Sequence, residues 1–284
     1  MTDAASRLFV AADPSREAAP PPAVSLVLPT HNELENLKVL VPALVAALAG
    51  ESFELLVVDD ASDDGSRGWL ADWQRRDPRV RVLLGDTLRG IGDALRRGYD
   101  AAQAEIIVSM DADLSFDAEV ARRLLDALRG GLDLVIGSRH HPRGGYDAPT
   151  AEIARKRRVS ASANRVLRAL VPVGVSDFSV NCRAIRRELW TALVLRERTN
   201  IWLIEMVVEA ALEGARIGEI PVTFRDRRFG DSKLRLGREI FVTGWRVVWM
   251  IGRFLAGRLG LASRRRRPEP APLDRTGGHH RASR

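Results

Sequence analysis

Asp111-Ala112-Asp113 ends the apolar run Ile106-Ile107-Val108-Ser109-Met110 and continues into Leu114-Ser115. A run of that length reads as a buried strand. Polar residues at its carboxyl end face the crevice where open α/β sheets bind ligands. Two carboxylates one residue apart repel each other unless a cation lies between them. Hard oxygen donors with open coordination positions suit Mg²⁺ or Mn²⁺ bridged to a diphosphate. Such a pair is common on protein surfaces, so its meaning rests on the elements that position it.

Those elements alternate. Apolar runs at Val24 to Leu28, Phe53 to Val58, Val80 to Leu84, Glu105 to Met110 and Asp133 to Ile136 read as strands. Stretches with helical periodicity separate them, at Asn36 to Ala49, Trp69 to Arg76, Asp93 to Ala102 and Ala118 to Leu128. Strands alternating with helices of this length predict βαβ units and a mostly parallel sheet flanked by helices, the α/β class. The strand ends are polar: His31, Asn32 and Glu33; Asp59 and Asp60; Asp86; Asp111 and Asp113; Arg139. In a parallel sheet these ends lie side by side on one edge, which predicts a ligand crevice there.

The second half is different. Ile153 to Leu170 reads as a basic amphipathic helix, and Val175 to Arg183 as a loop or short strand. Ile201 to Leu212 is helical, with Glu205 on an otherwise apolar stretch, and Ile217 to Phe224 reads as a strand. Residues 237–262 are apolar but broken by Arg238, Arg246, Arg253 and Arg258. They predict an amphipathic helix that either lies in a membrane interface or packs on the domain, and the following Arg264 to Arg267 cluster favours an anionic membrane surface. Residues 1–22, with four prolines, and the basic tail 263–284 read as disordered.

With 284 residues, 45% apolar and 29% charged, the chain is long enough for one sizeable globular domain. Its net charge of +7 gathers in clusters such as Arg155-Lys156-Arg157-Arg158, which suit anionic lipid or phosphorylated ligands. Cys182 is the single cysteine, so no intrachain disulfide forms and a reducing compartment is expected. No window reaches the roughly 18 uninterrupted apolar residues of a spanning helix. Cytoplasmic residence with peripheral attachment to a membrane is the expectation.

Five segments occur in an order that resembles family 2 inverting glycosyltransferases: Val27-Leu28-Pro29-Thr30-His31-Asn32-Glu33, Val57-Val58-Asp59-Asp60-Ala61-Ser62, Met110-Asp111-Ala112-Asp113-Leu114-Ser115, Gly137-Ser138-Arg139, and Phe224-x-x-Arg227-x-x-Gly230-x-Ser232-Lys233-Leu234. The last, with Ser160-x-x-x-Asn164 and Asp177-(x)5-Arg183, looks like the dolichyl/polyprenyl-phosphate mannose synthase branch. The resemblance spans residues 24–236. It implies a single GT-A-type nucleotide-sugar-binding domain over 23–236, a nucleotide-sugar donor (GDP-mannose), a polyprenyl phosphate acceptor and a membrane-protein partner. Pro29, His31, Glu33, Val58, Asp60, Asp111, Ala112 and Asp113 match donor-binding positions. The resemblance implies that Asp111 and Asp113 hold the metal, with Ser115 as third ligand. His31 stands where the family usually has Tyr, and Phe116 replaces the common His.

Arg139, Arg227 and Lys233 are cations past strand ends, placed by the resemblance to stabilise charge on a departing diphosphate. A polyprenyl monophosphate is already anionic, so it needs cations to hold it and no general base. Arg157 is the first candidate and Lys156 its neighbour. Arg183 either serves the acceptor phosphate or pairs with Asp177. Glu205 is read as a buried partner of one of these arginines. UDP-glucose as donor is the enzymatic alternative. A basic non-catalytic binder, for instance of nucleic acid, is disfavoured because the carboxylates sit at strand ends and the arginines do not form an aromatic-interleaved face.

Overall fold

The structure, a computed structural model, describes residues 20–147, 151–225 and 246–256, without the side chains of 151–153, 155 and 156. The chain runs β1 (Val24–Thr30), α1 (Leu34–Ala47), β2 (Phe53–Asp60), α2 (Ser66–Arg76), β3 (Val80–Gly85), α3 (Ile91–Ala101), β4 (Ile106–Met110), α4 (Glu119–Arg129) and β5 (Leu134–Ser138). It continues through β6 (Gly145–Asp147), α5 (Ala151–Leu170), β7 (Cys182–Arg186), α6 (Arg187–Ala192), α7 (Trp202–Leu212), β8 (Ile217–Pro221) and β9 (Thr223–Arg225). Among the described residues seven strands form one sheet, ordered β3-β2-β1-β4-β7-β5-β8. β1 and β2 are buried along their whole length, as expected when helices cover both faces of a parallel sheet.

The expected row of adjacent parallel ends is interrupted. β7 inserts between β4 and β5 and runs antiparallel to both. Arginines at 183 and 186 kept this five-residue run from reading as a buried strand, and its pairing on both sides satisfies its backbone groups inside the sheet. The single strand expected over Ile217 to Phe224 is two. Pro221 ends β8, and β9 leaves the main sheet to pair with β6.

α3 lies close against β1 and β2 because Gly98 has no side chain. A Cβ there would collide with Val27 and approach a Val58 methyl at 3.0 Å. Gly98→Ala is expected to destabilise the fold by about 1–3 kcal/mol through overpacking. Its thermal midpoint should fall by several degrees, which calorimetry would read; an unchanged midpoint would mean that α3 shifts freely.

Residues 246–256 are helical and pack on the domain. Met250, Ile251 and Phe254 are buried, while Val248, Trp249 and Leu255 are exposed. Arg246 and Arg253 do not face outward as free cations: they pair with Glu197 and Glu209 at 3.0 Å each. The helix therefore packs by one face and presents a second apolar face outward. The expectations for residues 1–19 and 257–284 lie outside the described residues. Among those described, no helix is long and apolar enough to cross a membrane.

Candidate functional site

The loops after β1, β2 and β4 each contain a non-glycine residue with left-handed backbone: Asn32 (φ 55), Ala61 (φ 63) and Leu114 (φ 61). Such backbones cost on the order of 1–3 kcal/mol each and persist where their surroundings fix them. The first two loops fix each other. Asn32 Nδ2 donates to Asp63 Oδ1 at 2.8 Å, the Asp63 amide donates back to Asn32 Oδ1 at 2.9 Å, and the Asn32 amide donates to Ser62 Oγ at 2.9 Å. Asp59 is absorbed by this framework, accepting from Arg67 Nε at 2.8 Å and from the Ser62 amide at 3.1 Å.

Asp60, the last residue of β2, does something else. Its Oδ2 accepts the amides of Arg89 (3.0 Å) and Gly90 (2.7 Å), which fixes the carboxylate plane. Its Oδ1 is buried without a hydrogen-bond partner among the described residues. A buried acceptor left open is costly unless a ligand N–H fills it. Val58 is buried in the same strand, and Pro29 and Thr30 end β1 beside it, paired with Val58 and Asp59. His31 is partly exposed in the following loop, and Glu33 accepts from the Asn36 side chain.

Asp111 and Asp113 follow β4, flanking the buried Ala112. Asp111 Oδ1 accepts from Asn181 Nδ2 at 2.9 Å, and Asp113 Oδ1 accepts the Ser115 amide at 3.0 Å. Ser115 Oγ is buried with no hydrogen-bond partner among the described residues. No group of three or more His, Cys, Asp or Glu gathers for a metal among the described residues. Two carboxylates and an open hydroxyl nevertheless fit a hard divalent cation that takes its remaining ligands from phosphate and water.

Arg139, past β5, is held in a fork. Its Nε and Nη2 donate to the two oxygens of Asp177 at 2.6 and 3.0 Å, and Nη1 stands outside that fork. Burial opposes charge on both partners, yet their attraction holds Asp177 below the usual carboxylate range and Arg139 above the usual guanidinium one. The guanidinium lies over the rings of Tyr146 (5.8 Å) and Phe224 (5.9 Å), and Arg157 of α5 lies over the same Tyr146 ring at 5.4 Å. Phe116 supports this platform edge-on through Phe224, so the residue standing for the family's His packs among aromatics. Two cations within 6 Å of one tyrosine ring, beside a charge field that includes Asp111, suit a site for phosphate groups.

Three expectations change. Arg183 is not at the crevice surface: it is fully buried and donates to the carbonyls of Val180 and Leu203, the latter at 2.8 Å. Nor does it pair with Asp177, whose partner is Arg139. Among the described residues no arginine side chain donates to Glu205; its Oε2 accepts the backbone amides of Arg196 and Glu197, both at 2.9 Å. Ser160 and Asn164 staple α5 to neighbouring loops, Ser160 beside His140 Nε2 (3.2 Å) and Asn164 accepting the Phe178 amide (2.9 Å). Arg227, Lys233 and the Lys156 side chain lie outside the described residues. Sequence reading missed the roles of Asp177, Tyr146 and Asn181. Tyr146 alone carried a signal, as one of two tyrosines in the chain, set in a glycine-flanked polar stretch.

The sheet defines an α/β protein with a carboxylate pair past β4 and two arginines beside the end of β5. The family model described as glycosyl transferase family 2 matches residues 25–192, and the chain belongs to that family. It is 35% identical over 226 residues to the undecaprenyl-phosphate mannosyltransferase of Micrococcus luteus, covering 75% of this chain and 88% of that protein. It is 35% identical over 222 residues to the polyprenol monophosphomannose synthase of Mycolicibacterium smegmatis, covering 74% and 80%. Among solved structures, glucosyl-3-phosphoglycerate synthase from Mycobacterium tuberculosis, bound to Mn²⁺, UDP and glucosyl-3-phosphoglycerate, superposes with a TM-score of 0.57 at 20% identity over 84% of this chain and 80% of that one. That likeness shows the GT-A-type fold.

Proposed function

We propose that the chain transfers mannose from GDP-mannose to a polyprenyl monophosphate, inverting the anomeric carbon. The enzyme is a glycosyltransferase, and mannose transfer to polyprenyl phosphate follows its similarity to relatives named for that activity. GDP as the nucleotide is the finer part of the proposal. The observation that carries the reading is that Arg139 and Arg157 share the Tyr146 ring, on a sheet whose neighbouring strand ends carry Asp111, Asp113 and the open Asp60 oxygen.

Pro29, His31, Glu33, Val58 and Asp60 would hold the nucleoside. Asp60→Asn replaces the open acceptor and is expected to weaken metal-free GDP binding about 10- to 100-fold, the cost of one unsatisfied buried hydrogen bond. Calorimetric titration checks this; unchanged affinity would remove Asp60 from the base site.

Asp111, Asp113 and Ser115 would hold Mg²⁺ or Mn²⁺, which when bound neutralises charge on the donor diphosphate. Arg157, with Lys156, holds the acceptor phosphate. One of its anionic oxygens attacks the anomeric carbon as the bond from that carbon to the donor β-phosphate oxygen breaks. The electron pair leaves with the nucleoside diphosphate, and Arg139, Arg227 and Lys233 stabilise the charge that develops. No proton has to be removed from the attacking oxygen, so the step needs no dedicated base. The exposed Val248, Trp249 and Leu255 support peripheral association with a membrane surface, on its cytoplasmic side or through a membrane-protein partner.

The test supplies labelled GDP-mannose or UDP-glucose with polyprenyl phosphate, with and without Mn²⁺. Metal-dependent, lipid-extractable label from GDP-mannose is expected. Label from UDP-glucose alone would overturn the donor assignment.

A further inference from the structure

Asn181 occupies a position that only the antiparallel insertion creates. Cys182 of β7 pairs with Met110 of β4, so the residue before β7 meets the residue after β4. Asn181 Nδ2 donates to Asp111 Oδ1 at 2.9 Å, and Asn181 Oδ1 accepts from Ser109 Oγ at 2.7 Å. Ser109 Oγ lies 2.8 Å from Tyr99 OH. A serine hydroxyl has one proton, and Ser109 gives it to Asn181, so Tyr99 is the donor to Ser109. The hydrogen bonds thus run one way, from Tyr99 through Ser109 and Asn181 to Asp111.

Tyr99, Ser109 and Asn181 are all buried. Trp190 and Trp202 hold the Tyr99 ring edge-on at 5.0 and 5.3 Å. Burial pushes the Tyr99 phenol up to about 12, so it stays a donor. Reversing the Asn181 amide would set its carbonyl against the Asp111 carboxylate, and Ser109 would have to turn its proton away to receive the NH₂. The chain therefore fixes the amide, and the amide fixes the carboxylate.

We propose that Asn181 is a positioning residue that holds Asp111 in the orientation the divalent cation requires. Outer hydrogen bonds to ligating carboxylates tune metal affinity in this way. The proposal rests on the reading of Asp111 and Asp113 as metal ligands. Binding of Mn²⁺ in the presence of saturating GDP, followed by electron paramagnetic resonance, separates the two. The wild type should bind Mn²⁺ more tightly than GDP alone does. Asn181→Leu, which removes the donor, should weaken Mn²⁺ by about 10- to 100-fold. Ser109→Ala removes one oxygen and frees the amide to turn, and should weaken Mn²⁺ by a smaller factor. Metal-free GDP affinity should be unchanged in both variants.

Equal Mn²⁺ affinity in wild type and Ser109→Ala, and in Asn181→Leu if it folds, would overturn the positioning role while leaving the metal site standing. A parallel loss of metal-free GDP binding would also overturn it, since that marks general disruption of the crevice. If the wild type adds nothing to the Mn²⁺ affinity of GDP, the metal reading itself falls, and the positioning role with it.

Discussion

Asp113→Ala should lower mannose transfer by about a thousand-fold or more while leaving a folded protein. In the proposed role of Asp113 as a metal ligand, its loss withdraws several kcal/mol of charge stabilisation from the departing diphosphate, and each 1.4 kcal/mol is about tenfold in rate. The structural cost is small by comparison. Asp113 accepts the Ser115 amide, a hydrogen bond worth about 1 kcal/mol, and its removal also relieves repulsion with Asp111. The thermal midpoint should therefore move by only about 2–4 °C. Activity assays beside a melting curve test both halves. Substantial retained transfer in a purified, folded variant would remove Asp113 from the metal site, and activity that survives chelation would remove the metal.

The second large effect is expected at Asp177. Asp177→Asn keeps the shape but takes the charge from the fork that grips Arg139, whose side chain is 15% exposed and Asp177's fully buried. Breaking such a pair from one side costs about 3–5 kcal/mol, because the remaining charge is left without its partner. In the proposed role of Arg139 beside the departing diphosphate, a displacement of an ångström costs about 100-fold in rate. The variant should lose stability and kcat together, with KM for the lipid less affected, because Arg157 is untouched. Asp177 also sets an acid limit. Its folded pKa lies below the unfolded value near 4. The pair's stabilisation is therefore fully present above about pH 4 and is lost as pH falls through the lower, folded value. Wild type and Asp177→Asn should differ most in stability at neutral pH and converge in strong acid. A constant difference across that range would show that the fork contributes no linked proton.

The first half of the molecule was legible because its signals are local. Apolar runs of strand length, helical periodicity between them and polar residues at each run's end specify β1 to β4, and the end of each strand carries its own chemistry in sequence. The place of Asp111-Ala112-Asp113 just after a buried strand was legible from that pattern. Asp60 was legible by the same logic, although the two amides that orient it come from Arg89 and Gly90, far along the chain.

What the sequence determined by itself is the family, the α/β class and the identity of the groups that line the strand ends. Those follow from residue type and short-range spacing. Only the tertiary structure decided which long-range partners meet. β7 enters between β4 and β5 with reversed direction, and spacing in the chain contains no term for that. The insertion turned Arg183 inward onto carbonyls, gave Asp177 to Arg139 and brought Asn181 to Asp111. The helix at 246–256 was undecided for the same reason: an amphipathic pattern states that a helix has two faces, and which face is covered depends on the surface it meets. Here Met250, Ile251 and Phe254 met the domain.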